Sequence, residues 1–242
     1  VFGVPVGAWL AYSLGWQAAF MVVSVLAGLA LVLLGLVCPS GILVPPTRLP
    51  AIGTVLATPR LFVAIAFTML LMSSSYMVYT YLAPLFEARH GLGRDGVTMM
   101  LVILGLGAVA GNILGGRLTD RIGPIRTLMM ICLAQAALLP AITLLILPLW
   151  AMVMLVLAWS VCTWCFMVPQ QARLASLDFE LTPVLLALNA AATYVGASVG
   201  SALGGQIFRH LDLGALGIFA AIISLVALGS LFLFKGDAPS RP

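Results

Sequence analysis

Seven stretches of this chain run for about twenty residues or more with almost no charged side chain, and this feature limits the fold more than any other. They cover residues 17–37, 60–86, 97–117, 127–147, 149–169, 183–208 and 213–234. An α-helix rises about 1.5 Å per residue, so each stretch can cross the hydrocarbon core of a bilayer. Backbone groups in lipid must pair within their own segment, which favours helices. We therefore predict an all-α transmembrane protein with seven complete spans, and we interpret residues 1–11 as the outer end of a further helix.

The composition agrees with a lipid environment. Charged residues make up 7% of the chain and apolar residues 63%, whereas about 25% of a soluble globular protein is charged. The chain carries 11 Lys and Arg against 7 Asp and Glu. In a membrane protein this excess indicates orientation and not nucleic-acid binding.

Residues 38–59 form the longest segment between spans and carry five prolines, which is typical of a linker between two bundles. If the connections alternate between the two sides of the membrane, eight Lys and Arg lie on the side of this linker and three on the other. Positive charge is retained on the cytoplasmic side. The linker and the tail at residues 235–242 are therefore predicted to be cytoplasmic.

One short turn between two spans, "GGRLTDRIGPIRTL", concentrates charge in an otherwise uncharged region. It matches the pattern G-x-L-x-D-R-x-G-x-x-R at Gly116, Leu118, Asp120, Arg121, Gly123 and Arg126. Glycine permits a tight turn, and an Asp among Arg residues can form a charge-assisted network that holds one conformational state. Positive-inside anchoring alone also explains the Arg residues, but it does not explain Asp120 or the glycines.

This turn resembles the loop between the second and third helices of each half of major facilitator superfamily transporters. "GVPVGAWLAYSLGWQAAF" (Gly3 to Phe20) resembles the end of helix 5 in the drug–proton antiporter branch, except that Gln17 replaces the usual Arg. "YTYLAPLFE" (Tyr79 to Glu87) and the run from Leu186 to Gly205 resemble sugar and purine efflux permeases of that branch.

The resemblance implies the domain organisation. Residues 1–37 would be the end of helix 5 and helix 6 of the N-terminal bundle, 38–59 the linker, 60–234 the C-terminal six-helix bundle, and 235–242 the tail. The sequence begins with Val1 in an apolar run. We interpret it as a C-terminal fragment in which helices 1 to 4 are missing.

Small residues recur at every fourth position on two predicted helices. The stripes are Gly107, Gly111 and Gly115, and Ala192, Gly196, Gly200 and Gly204. Such stripes let helix backbones approach closely in lipid, as static packing or as a sliding surface. The resemblance places both stripes at the seam between the two halves, with the end of helix 5 (Gly3, Pro5 and Gly7) packed on the helix that carries Gly111.

No Asp, Glu, Lys or Arg lies near the centre of a complete span. Neutral polar and aromatic residues are therefore the candidates for solute binding, and the family lines its cavity with helices 1, 4, 7 and 10. The predicted substrate-binding residues are Ser73, Tyr76, Thr80, Trp159, Thr163 and Tyr194. Each could instead bond its own or a neighbouring helix.

The leading hypothesis is a secondary transporter that exports a small neutral or amphipathic solute by alternating access, in the inner membrane of a bacterium. The antiporter resemblance implies proton coupling, with the titrating acid in the missing half. The alternative is a truncated membrane protein that does not transport. Cys162 and Cys165 form C-T-W-C inside an apolar run, which we interpret as helix packing. No enzymatic activity, metal or cofactor is predicted.

The predicted topology can be tested by cysteine labelling. A cysteine at Ser40, in the linker, should react with a membrane-impermeant maleimide only from the cytoplasmic side. A cysteine at Gly93 should react only from the opposite side. Labelling of both positions from the same side would rule out the topology.

Overall fold

The computed structural model describes residues 7, 10, 13–37 and 49–233, and these residues form ten helices without any strand among them. The helices are α1 (Trp16–Val37), α2 (Leu49–Ala57), α3 (Pro59–Tyr79), α4 (Leu82–His90), α5 (Arg94–Ile122), α6 (Pro124–Leu144), α7 (Leu149–Trp164), α8 (Met167–Leu177), α9 (Thr182–His210) and α10 (Leu213–Ser230).

Seven helical stretches in the described residues are long and apolar enough to span a membrane, which confirms the predicted all-helical class and the number of spans. Two spans consist of two helices each. One runs from α3 into α4 (Pro59–His90), and the other runs from α7 into α8 (Leu149–Leu177). The predicted span 149–169 was therefore too short.

Both breaks lie four residues before a proline. Thr80, the first residue after α3, lies four residues before Pro84, and Cys165, the first residue after α7, lies four residues before Pro169. Proline has no N–H to donate to the carbonyl four residues earlier, and its ring clashes with that carbonyl. The chain tightens instead, so that Tyr81 N donates to Val78 O at 3.0 Å. The two prolines thus account for the interruption of the helix in both spans.

Helix α3 lies at the centre of the bundle. Its three consecutive serines are all buried, and each contacts a different neighbouring helix. Ser73 Oγ donates to Gly196 O of α9 at 2.9 Å, Ser74 Oγ to Ala220 O of α10 at 2.7 Å, and Ser75 Oγ to Gln135 Oε1 of α6 at 3.0 Å. Successive residues of a helix point about 100° apart, so this arrangement requires neighbours on three sides.

The two glycine stripes face other helices of the same bundle in the described residues. A methyl group built on Gly111 would collide with Val161 O of α7, and one on Gly107 would lie 2.6 Å from Ser160 Cβ. A methyl group on Gly204 would lie 2.8 Å from Met77 O of α3. The prediction that the Gly111 face meets the end of helix 5 is therefore wrong. The sequence pattern predicts a close contact between helices but does not identify the partner helix.

The full stripes behave alike. Every glycine in them would bring an added methyl group within 3.0 Å of the facing helix: Gly107, Gly111 and Gly115 on α7 and the residue after it, and Gly196, Gly200 and Gly204 on α3. Gly7 has open space around it, and Gly3 and Pro5 lie outside the described residues.

The N-terminal span α1 and the short helix α2, which lies within the predicted linker, differ in their packing. No residue of α1 is buried. In α2, by contrast, Val55 is buried and packs with Leu61 of α3 and Leu174 of α8. Residues 49–57, within the predicted linker, therefore form a helix that lies against the six-helix bundle. The rest of that linker, residues 38–48, and the tail lie outside the described residues.

Arg89 ties α4 to the end of α6. Its guanidinium donates to Ile142 O and Leu145 O, both at 3.2 Å, and to Thr143 O. These carbonyls belong to the last turn of α6, where no intrahelical donor remains and the helix dipole favours a cation. This contact fixes the point where α6 stops, three residues before the end of the predicted span.

The close α5–α7 contact predicts a stability difference between two Gly→Ala substitutions. Gly111→Ala places a methyl group against a backbone carbonyl that cannot rotate away, and it should destabilise the protein by about 1–3 kcal/mol. Gly229→Ala in α10 is the matched control because an added methyl group there meets nothing within 4 Å. It should change stability by no more than about 0.5 kcal/mol. Thermal unfolding in detergent measures both, and equal melting temperatures would contradict the observed packing.

Candidate functional site

A cavity of about 410 Å³ lies between α3, α5 and α7. It is lined by Met72, Ser75, Tyr76, Tyr79, Leu101, Leu104, Gly105, Ala108, Asn112, Trp159, Ser160, Thr163, Trp164 and Phe166. These are apolar, aromatic and neutral polar side chains, and none carries a charge. A cavity with this lining favours a neutral solute with a large apolar surface and a few hydrogen-bonding groups.

Three aromatic rings line one side of the cavity in sequence. The Tyr76 and Tyr79 ring centroids are 5.3 Å apart, and those of Tyr79 and Trp159 are 6.4 Å apart. Tyr76 and Tyr79 come from successive turns of α3, whereas Trp159 comes from α7. The rings therefore join the two helices and present a continuous aromatic surface to the cavity.

Trp159 is 2% exposed, and its Nε1–H has no acceptor among the described residues. A buried N–H group without a partner costs about 1–3 kcal/mol, so buried tryptophans usually have one. The indole belongs to the cavity wall. Among the buried polar atoms without a partner in the described residues, the Trp159 nitrogen is the one that belongs to a residue of the cavity lining.

Other polar groups of the lining are partly engaged by the protein. Ser160 Oγ donates to Leu104 O at 2.7 Å, and Asn112 Nδ2 donates to Ala108 O at 2.9 Å. The Tyr76 and Tyr79 hydroxyl groups make no hydrogen bond to any residue that the structure describes. The cavity thus offers two phenol groups, an indole N–H and the Asn112 carbonyl oxygen.

Three of the six predicted substrate-binding residues line this cavity, namely Tyr76, Trp159 and Thr163. The other three do not. Ser73 is turned toward α9, where it donates to Gly196 O. Thr80 donates to Tyr76 O of its own helix and lies 2.7 Å from Ser201 Oγ. Tyr194 is 75% exposed on α9 and lies outside the cavity lining.

Sequence reasoning missed Ser75, Tyr79 and Ser160. Of the three predicted residues on α3 and its end, only Tyr76 lines the cavity, whereas Ser73 and Thr80 lie against α9. In a span that is apolar on all sides, the sequence does not reveal which neighbour each side chain meets. Tyr79 could have been found from its spacing of three residues from Tyr76.

A second buried polar cluster lies apart from this cavity and ties three helices together. Asn189 Oδ1 of α9 accepts from Thr68 Oγ1 of α3 at 2.5 Å and from Gln170 Nε2 of α8 at 3.3 Å. Gln170 also donates to Ala64 O at 2.8 Å. Interhelical bonds of this kind hold helices in register in lipid. We interpret this cluster as structural.

The charged turn between α5 and α6 is a tight connection of one residue. Gly123 separates the two helices with φ +85°, a backbone angle that favours glycine. Its carbonyl accepts from Thr127 N at 3.2 Å and from Thr127 Oγ1 at 2.9 Å. An added methyl group on Gly116 would meet nothing within 4 Å.

The charges of this turn are not paired within the bundle. Asp120, Arg121 and Arg126 are exposed, and none forms an ion pair with another described residue. A network that includes Asp120 therefore needs a partner from outside the described bundle. The predicted role of the turn in holding one conformational state stays a prediction.

The described residues contain no group of three His, Cys, Asp or Glu placed to hold a metal ion. Cys132, Cys162 and Cys165 are free thiols. Cys162 Sγ lies 3.6 Å from Ile131 O of α6 as a weak donor. The C-T-W-C pattern therefore packs between helices α6 and α7.

Seven apolar spans in the described residues, three of which line an uncharged cavity, define an integral membrane protein with a helical bundle that can hold a small molecule. Residues 1–183 match the model of the Major Facilitator Superfamily, and the chain belongs to this family. The fold is the major facilitator fold, of which the described residues form the C-terminal part.

Several curated relatives support this assignment. The chain is 26% identical to the uncharacterized MFS-type transporter YbcL of Bacillus subtilis (98% of this chain, 61% of the relative). It is 26% identical to a probable sugar efflux transporter of Mannheimia succiniciproducens (94% and 57%) and 27% identical to the inner membrane transport protein YdhP of Escherichia coli K12 (98% and 61%). The chain thus spans about three fifths of the length of these relatives.

Proposed function

We propose that this chain supplies the C-terminal half of the solute site in a secondary active transporter, which exports a small neutral or amphipathic solute by alternating access. The observation that carries the proposal is the uncharged cavity between α3, α5 and α7, with the indole N–H of Trp159 lacking any acceptor in the described protein. Such a wall stabilises an apolar ring face and donates to an oxygen or nitrogen of the solute.

A sugar-like compound fits this chemistry. The C–H face of a sugar ring packs on aromatic rings, and its oxygens accept hydrogen bonds from donors such as an indole N–H. The relative from Mannheimia succiniciproducens is named a probable sugar efflux transporter. The absence of any charge in the lining argues against a strongly anionic solute.

Proton coupling requires a titrating acid, and none of the cavity-lining residues is one. We place the proton carrier in the N-terminal half of the family fold, of which the described residues include α1 but no complete further helix. The exposed turn with Gly116, Asp120, Arg121, Gly123 and Arg126 would then pair with that half in one conformational state. In this arrangement the linker and the tail are cytoplasmic and the protein lies in the inner membrane of a bacterium.

Removing the indole N–H donor should weaken solute binding while an aromatic ring stays in the cavity wall. In the full-length protein, Trp159→Phe keeps an aromatic ring and removes the N–H, so the KM for efflux should rise about tenfold. Efflux of radiolabelled sugars from cells, at matched membrane expression, measures this. Trp150→Phe is the matched control because Trp150 is 74% exposed and lies outside the cavity lining. An unchanged KM in Trp159→Phe, or the same change in both variants, would contradict the proposed site.

The charged turn is tested separately. Asp120→Asn should slow transport several-fold while leaving membrane insertion intact, because it removes the only carboxylate from a turn that is rich in Arg. Asp95→Asn, an exposed Asp in the first turn of the same helix, is the matched control. If transport rates of both variants equal the wild-type rate, the turn serves only as a positive-inside anchor.

A further inference from the structure

Gln135 lies outside the cavity, yet it contacts two residues that line it. We infer that Gln135 is a specificity-determining positioning residue, which makes the Thr163 hydroxyl a hydrogen-bond donor toward the solute. Together with Trp159 Nε1–H, this gives the α7 wall two donors and selects neutral ring compounds with two acceptor atoms on one edge. The inference rests on the proposed function and extends it to the substrate class.

The geometry is that of a buried bridge between helices. Gln135 is on α6 and is 0% exposed. Its Nε2 donates to Thr163 Oγ1 of α7 at 3.4 Å, and its Oε1 accepts from Ser75 Oγ of α3 at 3.0 Å. Ser75 and Thr163 both line the cavity. The Gln135 amide thus bonds one cavity-lining residue of α3 and one of α7, although Gln135 itself does not line the cavity.

The hydrogen bond from Gln135 determines which hydrogen-bonding groups of the Thr163 hydroxyl remain available. A threonine hydroxyl carries one hydrogen, and its oxygen accepts through lone pairs. Because Thr163 accepts from Gln135, its own hydrogen stays available. No described residue accepts that hydrogen, although Thr163 is 8% exposed. The remaining direction for it is the cavity.

Other threonines of this chain show that this state is not the default. Thr80, Thr119 and Thr193 each donate to the carbonyl four residues earlier, at 2.9, 2.6 and 3.0 Å. Such back-bonding is the ordinary choice for a threonine within a helix. Thr163 makes no such bond to Trp159 O. The contact with Gln135 is the visible difference.

The two free donors lie one helical turn apart. Trp159 and Thr163 are separated by four residues on α7, so their Cβ atoms lie about 5–6 Å apart on one face. A ligand that satisfies both needs two acceptor atoms on one edge. Ring compounds with several hydroxyl or ether oxygens, such as glycosides, meet this requirement while their apolar face packs on Tyr79.

The opposite amide orientation would reverse this chemistry. The single hydrogen of Ser75 has two acceptors in reach, Gln135 Oε1 at 3.0 Å and Leu71 O at 3.1 Å. If Ser75 donated to Leu71 O and the amide were turned by 180°, Thr163 would donate to Gln135 Oε1. The wall would then offer a lone pair at Thr163 and would require a donor from the ligand. The two orientations therefore predict opposite ligand preferences.

The first arm of the test needs no solute. Thermal unfolding of the full-length protein in detergent is measured for Gln135→Leu, Thr163→Val and the double variant. If the two side chains are bonded, each single variant lowers the melting temperature, and the double variant lowers it by clearly less than the sum. Additive shifts would overturn the inference whatever the protein transports.

The second arm distinguishes a donor from an acceptor in the wall. The probes are methyl β-D-glucopyranoside and its monodeoxy and monodeoxyfluoro analogues, compared through the ligand concentration that gives half-maximal thermal stabilisation. Fluorine can accept a hydrogen bond but cannot donate one, whereas the deoxy position does neither. At one or two ring positions the fluoro analogue should bind about three- to tenfold more tightly than the deoxy analogue.

In Gln135→Leu the difference between fluoro and deoxy analogues should disappear at one of those positions. Ser224→Ala is the matched control, since it removes another buried bond to α6, from Ser224 Oγ to Cys132 O at 2.9 Å, outside the cavity. It should lower the melting temperature and keep the discrimination.

Equal binding of fluoro and deoxy analogues to the wild type at every position, or loss of discrimination in Ser224→Ala as well, would overturn the inference. Coupling in the first arm with no stabilisation by any glucoside would refute the sugar assignment of the proposed function and the substrate class inferred here, while leaving the Gln135–Thr163 contact intact.

Discussion

The bundle depends on close approach of helix backbones, because lipid provides no hydrophobic drive between apolar helices. At several close contacts between helices, a glycine lies at the contact and a nearby hydroxyl donates to a backbone carbonyl of the facing helix. Gly196 meets α3 where Ser73 donates to its carbonyl, and Gly107 meets Ser160, which donates to Leu104 O. Thr143 and Gly217 form the same arrangement between α6 and α10, where Thr143 donates to Gly214 O. Dispersion contacts and these bonds together hold the helices.

The cavity follows from this packing. The spans that contain α3 and α7 are interrupted at Thr80 and Cys165, each four residues before a proline. Large aromatic side chains on these helices face the space that remains, and hydroxyl groups engaged by neighbouring helices position the rest of the wall. The outcome is a cavity with an apolar surface, few polar groups and no charge in its lining.

Much of the fold was predictable from the sequence, and the reason is the bilayer. Length and hydropathy predict the seven spans because a helix that crosses lipid must satisfy its own backbone. The orientation of each helix about its axis was not predictable. Ser73 was predicted to line the solute site, yet Ser75 lines the cavity and Ser73 does not, because an almost uniformly apolar span gives no signal for its faces. The Gly111 stripe predicted a close contact but the wrong partner. Gln135 escaped notice because nothing in the sequence shows that it bridges α3 and α7.

The most direct test of the account is a cryo-electron microscopy map of the full-length protein with a solute that it transports. The account predicts density for the solute between α3, α5 and α7, with its ring against Tyr79 and an acceptor atom within about 3.2 Å of Trp159 Nε1. Density bound elsewhere in the protein, with the Trp159 indole N–H bonded to a protein carbonyl instead, would contradict it.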